Sequence, residues 1–187
     1  MGSPATYLAA TQLPSICEEA GATLIYKPML LGGVFQATGN ASPANVPAKG
    51  RWVFDDLIRH AQRYGVPFKR NPYFPINTLL LMRGATAMQL KHPDKFLTYV
   101  DAVFRAIWVD GRDMNDASVV AGVLHEAKID AATVMAEITD REVKAALKAV
   151  TDEAVARGVF GAPSIFIDDV LYFGQDRLPF VREALAQ

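Results

Sequence analysis

Thiols are nearly absent from this chain: Cys17 is the one cysteine in 187 residues. A lone thiol can form neither an intramolecular disulfide framework nor a Cys-x-x-Cys redox pair. Long apolar runs are missing too, none approaching the roughly 20 residues that cross a bilayer. The opening Met-Gly-Ser-Pro-Ala-Thr-Tyr has neither the basic start nor the apolar stretch of a signal peptide. Neither charge sign dominates: 19 basic residues face 20 acidic ones and no basic run stands out. A nucleic-acid backbone therefore has no electrostatic footprint to meet. His60, His92 and His125 lack metal-ligand spacing, and there is no Gly-x-Gly-x-x-Gly or phosphate loop. These absences point to a soluble chain in a reducing, cytoplasmic compartment, without nucleic acid, membrane or metal.

What is present is a real core. Hydrophobic residues make up 51% of the sequence, enough for one compact domain or a core carrying an insertion. Ser3-Pro4 opens a predicted helix to about residue 20, kinked at Pro14 and stopped by Gly21. Residues 22–30 (A-T-L-I-Y-K-P-M-L) read as a strand. Residues 32–49, rich in Gly, Asn, Ser and Pro, read as a long loop. From about Gly50 to Arg157 the pattern is helical, clearest over 52–64, 77–90, 94–109 and 140–157, with shorter helices at 117–126 and 131–138. Residues 164–167 and 170–173 then form an antiparallel pair across an Asp168-Asp169 turn, and a last helix covers 177–186. Cys17 is expected to be a buried small hydrophobe, and Trp52, Tyr64, Phe104 and Trp108 to be core.

Four segments can carry chemistry, each with a plainer alternative. Ser3 at a helix start has free N–H groups and a hydroxyl suited to a sulfur anion, though serine is also an ordinary cap. Gly161-Ala162-Pro163-Ser164 puts a proline at the entry to a strand. A cis bond there would turn the Ala162 backbone toward an extended peptide, whereas a trans proline would simply begin an edge strand. Asp176 in Phe173-Gly174-Gln175-Asp176-Arg177 either caps the last helix or pairs with a ligand ammonium, with Gln175 beside it for a carboxylate. Asn40 and Lys49 suit a peptide carbonyl and a carboxylate, or else belong to a solvated loop. Taken together, the four describe a site for glutathione.

The order of these motifs resembles one family. Gly-Ser-Pro-x-x-Tyr-Leu-Ala at the N-terminus, Gly39-Asn40 through Pro47-Ala48-Lys49 with Arg51 and Asp56-Leu57, Val159-Phe160-Gly161-Ala162-Pro163, and Phe173-Gly174-Gln175-Asp176-Arg177-Leu178 are similar to motifs of the 2-hydroxychromene-2-carboxylate isomerases and kappa-class glutathione transferases. The resemblance implies an α/β, thioredoxin-like fold of DsbA type with an inserted α-helical domain. The core would be 1–32 and 158–187, and 33–157 would hold the glutathione-site loop and the insertion. It further implies a homodimer that binds glutathione and a small aromatic substrate. Ser3 would hydrogen-bond the glutathione sulfur, and Asn40 and Lys49 would hold the tripeptide. Ala162, before Pro163, would bind its cysteinyl backbone, and Gln175 with Asp176 its γ-glutamyl end. Tyr7, Phe35 and Tyr73 would line an aromatic pocket. The implied reaction is cis–trans isomerisation by reversible thiolate addition; a transferase or peroxidase on the same scaffold, or a non-catalytic peptide-binding scaffold, is the alternative. In one respect the sequence departs from the family. Members carry an aromatic-Asp-Phe strand just before Ser-Pro, whereas here Met1-Gly2 precede it. The sheet is thus expected to lack its first strand, to be rearranged or completed by another chain, and to lose stability or activity.

Overall fold

Ser3 and Pro4 start the first helix as the sequence predicts. Ser3 has extended backbone (φ −95°, ψ 118°), its Oγ accepts from the Thr6 N–H, and Pro4 fills the first helical position of α1 (Pro4–Glu19). The helix runs through Pro14 and closes where the Ala22 N–H donates to the Cys17 carbonyl at 2.8 Å. Tyr7, Leu8, Ile16 and Cys17 are buried along it. This computed structural model describes residues 1–186.

Two expectations fail next. Residues 22–30 are not a strand. Their side chains do alternate, half-buried at Ala22, Leu24 and Tyr26 and exposed at Thr23, Ile25 and Lys27, yet no strand pairs with them among the described residues. Alternation prepares a strand; a ladder partner makes one. Residues 32–49 are not a long loop either. They contain α2 (Leu31–Thr38), a 3₁₀ turn (Pro43–Asn45) and the beginning of α3 (Pro47–Tyr64). Gly32 and Gly33 cost helix propensity of about 1 kcal/mol each, but Val34 between them and Thr38 is fully buried, so packing wins. Pro47 suits the first position of α3, which starts ahead of the expected residue 52. On that helix Trp52 is 61% exposed and does not belong to the core, unlike Phe104 and Trp108.

The chain divides into two compact units. One comprises residues 1–2, 28–30 and 69–154; the other comprises 3–27, 31–68 and the C-terminal stretch from Val155. Residues 33–68, part of the 33–157 segment expected to hold the glutathione-site loop and the insertion, group with α1 and the C-terminal elements.

The first unit is helical: α4 (Leu79–Lys91), α5 (Phe96–Trp108), α6 (Ala117–Glu126), α7 (Ala131–Glu137) and most of α8 (Arg141–Ala156). Helix α4 packs on α5 and α7, and α5 on α6. Asp116 and Asp130 cap α6 and α7 by accepting the N–H groups of Ser118 and Ala132. Among the described residues no helix is long and apolar enough to cross a membrane.

The second unit holds the sheet, β1 (Ser164–Ile167) antiparallel to β2 (Val170–Phe173), joined at Asp168-Asp169 as expected. Asp168 takes a positive φ of 51°, which a two-residue hairpin turn demands and which aspartate tolerates. Ile165 pairs with Tyr172 in the register, and both face a cluster of Ile16, Leu178 and Val181 from α1 and α9 (Leu178–Leu185). Phe166 projects from the other face, where the Arg157 guanidinium sits 3.8 Å over its ring. The two faces follow from the period-2 alternation of a strand.

Candidate active site

All seven singled-out residues lie in the second unit, and a chain of hydrogen bonds joins most of them. Ser3 is 8% exposed. Its hydroxyl accepts from the Thr6 N–H at 3.2 Å and donates to the Ala162 carbonyl at 2.9 Å, across 159 residues of sequence. The Ala162–Pro163 bond is cis. The helix start and the proline segment thus meet through one side chain.

Asn40 reaches the same segment. Its Nδ2 donates to the Phe160 carbonyl at 2.8 Å while its Oδ1 accepts from the Ala41 N–H. On the other side of the proline, the Gly174 N–H donates to the Pro163 carbonyl at 3.1 Å. Gln175 is buried, and its carbonyl accepts the Tyr64 hydroxyl at 2.9 Å. Asp176 is exposed and pairs with its neighbour Arg177 at 2.8 Å.

Two glycines let these loops close. A Cβ on Gly161 would lie 2.7 Å from the Phe173 ring, which packs tilted against Phe160 with centroids 4.5 Å apart. Gly174 has φ 103°, where a side chain is strained, and a Cβ there would lie 2.5 Å from Asp176 Oδ1.

Lys49 stands apart from this frame. It occupies the exposed first turn of α3, whose cap residue Val46 offers no side-chain acceptor, and it makes no ion pair among the described residues. An ammonium beside unsatisfied helical N–H groups is a place for a carboxylate.

Other residues move away from the roles suggested for them. Tyr7 is 5% exposed, stacks on Phe68, and gives its hydroxyl to the Pro67 carbonyl at 2.7 Å, so its ring is core rather than pocket wall. Phe35 is half-buried in the same unit, and Tyr73 belongs to the other unit. Cys17 is buried, and burial pushes its thiol up, so it stays a neutral thiol at neutral pH. Sequence reasoning missed Tyr64 as a brace for the 174–177 loop; helical spacing marked it only as core. It also missed Thr6, three residues after Ser3, whose Oγ1 is buried without a hydrogen-bond partner.

A helix N-terminus facing a cis-proline segment, with a two-stranded hairpin and flanking helices, defines a thioredoxin-type site. The chain matches the DsbA-like thioredoxin domain model over residues 1–186 and belongs to that family, which here takes in the 2-hydroxychromene-2-carboxylate isomerases and kappa-class glutathione transferases. It is 30% identical to a 2-hydroxychromene-2-carboxylate isomerase of Sphingobium xenophagum, across 98% of this chain and 93% of that one. It is 33% identical to glutathione S-transferase kappa 2 of Caenorhabditis elegans, across 86% of this chain and 77% of that one. A solved 2-hydroxychromene-2-carboxylate isomerase superposes with a TM-score of 0.85 at 27% identity, covering 98% of this chain and 89% of the other.

Proposed function

We propose that this protein is a glutathione-dependent cis–trans isomerase of 2-hydroxychromene-2-carboxylate-type intermediates in aromatic degradation. The observation that carries the reading is the Ser3 hydroxyl, held at the start of α1 and bonded to the carbonyl that precedes cis-Pro163. The single hydroxyl hydrogen of Ser3 goes to Ala162 in the free protein; a sulfur anion bound at the helix start would take it over, exchanging one acceptor for a charged one.

The donor set fits a tripeptide thiol. Ser3 and the first turn of α1 favour the thiolate over the thiol. When the Ser3 hydrogen turns to the sulfur, the Ala162 carbonyl is freed to accept the cysteinyl N–H of the ligand. Lys49 meets a carboxylate; Asp176 meets the ammonium of the γ-glutamyl end, with Gln175 beside it, and Asn40 holds the segment from the far side. Bound glutathione supplies a thiolate that adds reversibly to a substrate double bond and leaves again, so it is regenerated. An external thiol is needed because the chain's own, Cys17, is buried and neutral. The reading takes a small aromatic substrate and a cytoplasmic homodimer, as the family resemblance implies.

The identity to a kappa-class relative favours a second reading, a transferase or peroxidase that consumes glutathione. One assay separates them and tests the proposal: isomerisation of 2-hydroxychromene-2-carboxylate followed by absorbance with and without glutathione. The expected result is glutathione-dependent conversion without glutathione loss, reduced about 10- to 100-fold in kcat by Ser3→Ala. Conversion that ignores glutathione contradicts the proposal, and stoichiometric consumption selects the second reading.

A further inference from the structure

The second unit contains an open pocket of about 250 Å³ that shares only Asp176 with the glutathione roles above. Ile16 of α1, Tyr64 of α3 and Leu178 of α9 supply its apolar and aromatic wall, and Arg63, Arg182 and His60 its basic side. The His60 and Tyr64 rings lie 5.7 Å apart, tilted by 51°.

The charges around it do not cancel. Arg182 is engaged by Glu19, and Asp176, which also lines the cavity, is engaged by Arg177. His60 Nε2 lies 3.6 Å from Asp56, while its Nδ1 is buried without a hydrogen-bond partner. Arg63 makes no ion pair among the described residues, which leaves one guanidinium on the pocket's rim without a carboxylate partner. Guanidinium is the group best matched to a planar carboxylate, through two parallel N–H···O bonds.

Size narrows the occupant. A void of roughly 150 Å³ accepts benzene, and drug-sized ligands fill roughly 300 Å³ or more. A single aromatic ring bearing a carboxylate matches both the volume and the charge.

We propose that this cavity is a binding site for a monocyclic aromatic carboxylate, with its carboxylate on Arg63 and its ring against Ile16, Tyr64 and Leu178. The site stands whether or not glutathione binds at Ser3. Its position carries a consequence, because the Tyr64 hydroxyl holds the Gln175 carbonyl and Asp176 lines the wall. An occupant therefore touches the loop assigned to the γ-glutamyl end.

The test is titration of benzoate into the ¹⁵N-labelled full chain, followed by NMR in the absence of glutathione. The expected result is saturable shifts at Gln12, Ile16, Tyr64 and Leu178, with affinity reduced about tenfold by Arg63→Gln and unchanged by Lys49→Ala. Arg63 is exposed, so its substitution leaves the fold intact. The proposal is overturned if no shift saturates or if Arg63→Gln binds as well as the parent. It is equally overturned if the shifts centre on Ser3 and Ala162 and vanish with Lys49→Ala, because benzoate would then merely occupy the glutathione site.

Discussion

The two units direct their long-range hydrogen bonds differently. In the helical unit, side-chain hydrogen bonds are of mixed reach and scattered: Asp116 and Asp130 cap their own helices, the Tyr99 hydroxyl donates to the Leu81 carbonyl inside the core, and Thr151 and Trp108 bond the Leu30 N–H and the Met1 carbonyl across 121 and 107 residues. The largest fully buried side chains, Trp108 and Tyr99, are there. In the second unit, the bonds of Ser3, Asn40 and Tyr64 cross 159, 120 and 111 residues to reach backbone carbonyls of one C-terminal stretch. Lys49 and Arg63 in that unit have no ion-pair partner among the described residues. Scattered bonds hold a scaffold; bonds that converge on one stretch align its loops, and the proposed site rests on that convergence. Stability should therefore be lost mainly through the first unit and binding through the second.

The largest effect is expected at Trp108. Its indole N–H donates to the Met1 carbonyl at 3.0 Å, and its ring lies 5.9 Å from Phe74. Trp108→Ala should cost about 3–5 kcal/mol, read by denaturant unfolding; a cost below 1 kcal/mol would remove the distinction between the units. Gly174→Ala comes next, because it forces a Cβ onto Asp176 at positive φ. A loss of about 1–3 kcal/mol is expected, with weaker glutathione binding, both measurable on one sample by melting and calorimetry.

The smallest effect is a pH dependence at two helix ends. Asp116 is held below the usual carboxylate range by the Ser118 hydroxyl and N–H, and Asp130 by the Thr133 hydroxyl and Ala132 N–H. A lowered folded-state pKa means the cap contributes above the unfolded value of about 3.9 and is lost as pH falls through the folded one. Hydrogen exchange at the starts of α6 and α7, corrected for intrinsic rates, should gain open population below pH 4. Asp116→Asn and Asp130→Asn should flatten that response.

Much of this was legible in the sequence where one residue decides locally. Ser3-Pro4 fixed the start of α1, and the apolar run broken by Asp168-Asp169 fixed the hairpin and its register. Tertiary context decided the rest. Residues 22–30 have the right alternation and no ladder, while 31–38 have two glycines and a helix, held by the burial of Val34. Trp52 has core spacing and an exposed ring. At the candidate site, residue types suggested the chemistry that is proposed above. The crossing bonds from Ser3 to Ala162 and from Asn40 to Phe160 were invisible, since nothing in a sequence says which carbonyl a side chain 120 or more residues away will meet.

The central claim, that the second unit assembles a glutathione site, is tested most directly by calorimetric titration of glutathione into the full chain and into Lys49→Ala. The account predicts micromolar-to-millimolar binding by the parent. Lys49→Ala should weaken it about tenfold with an unchanged melting temperature, because Lys49 is exposed and holds nothing else. No heat from a folded parent chain, or equal affinity in Lys49→Ala, would contradict it.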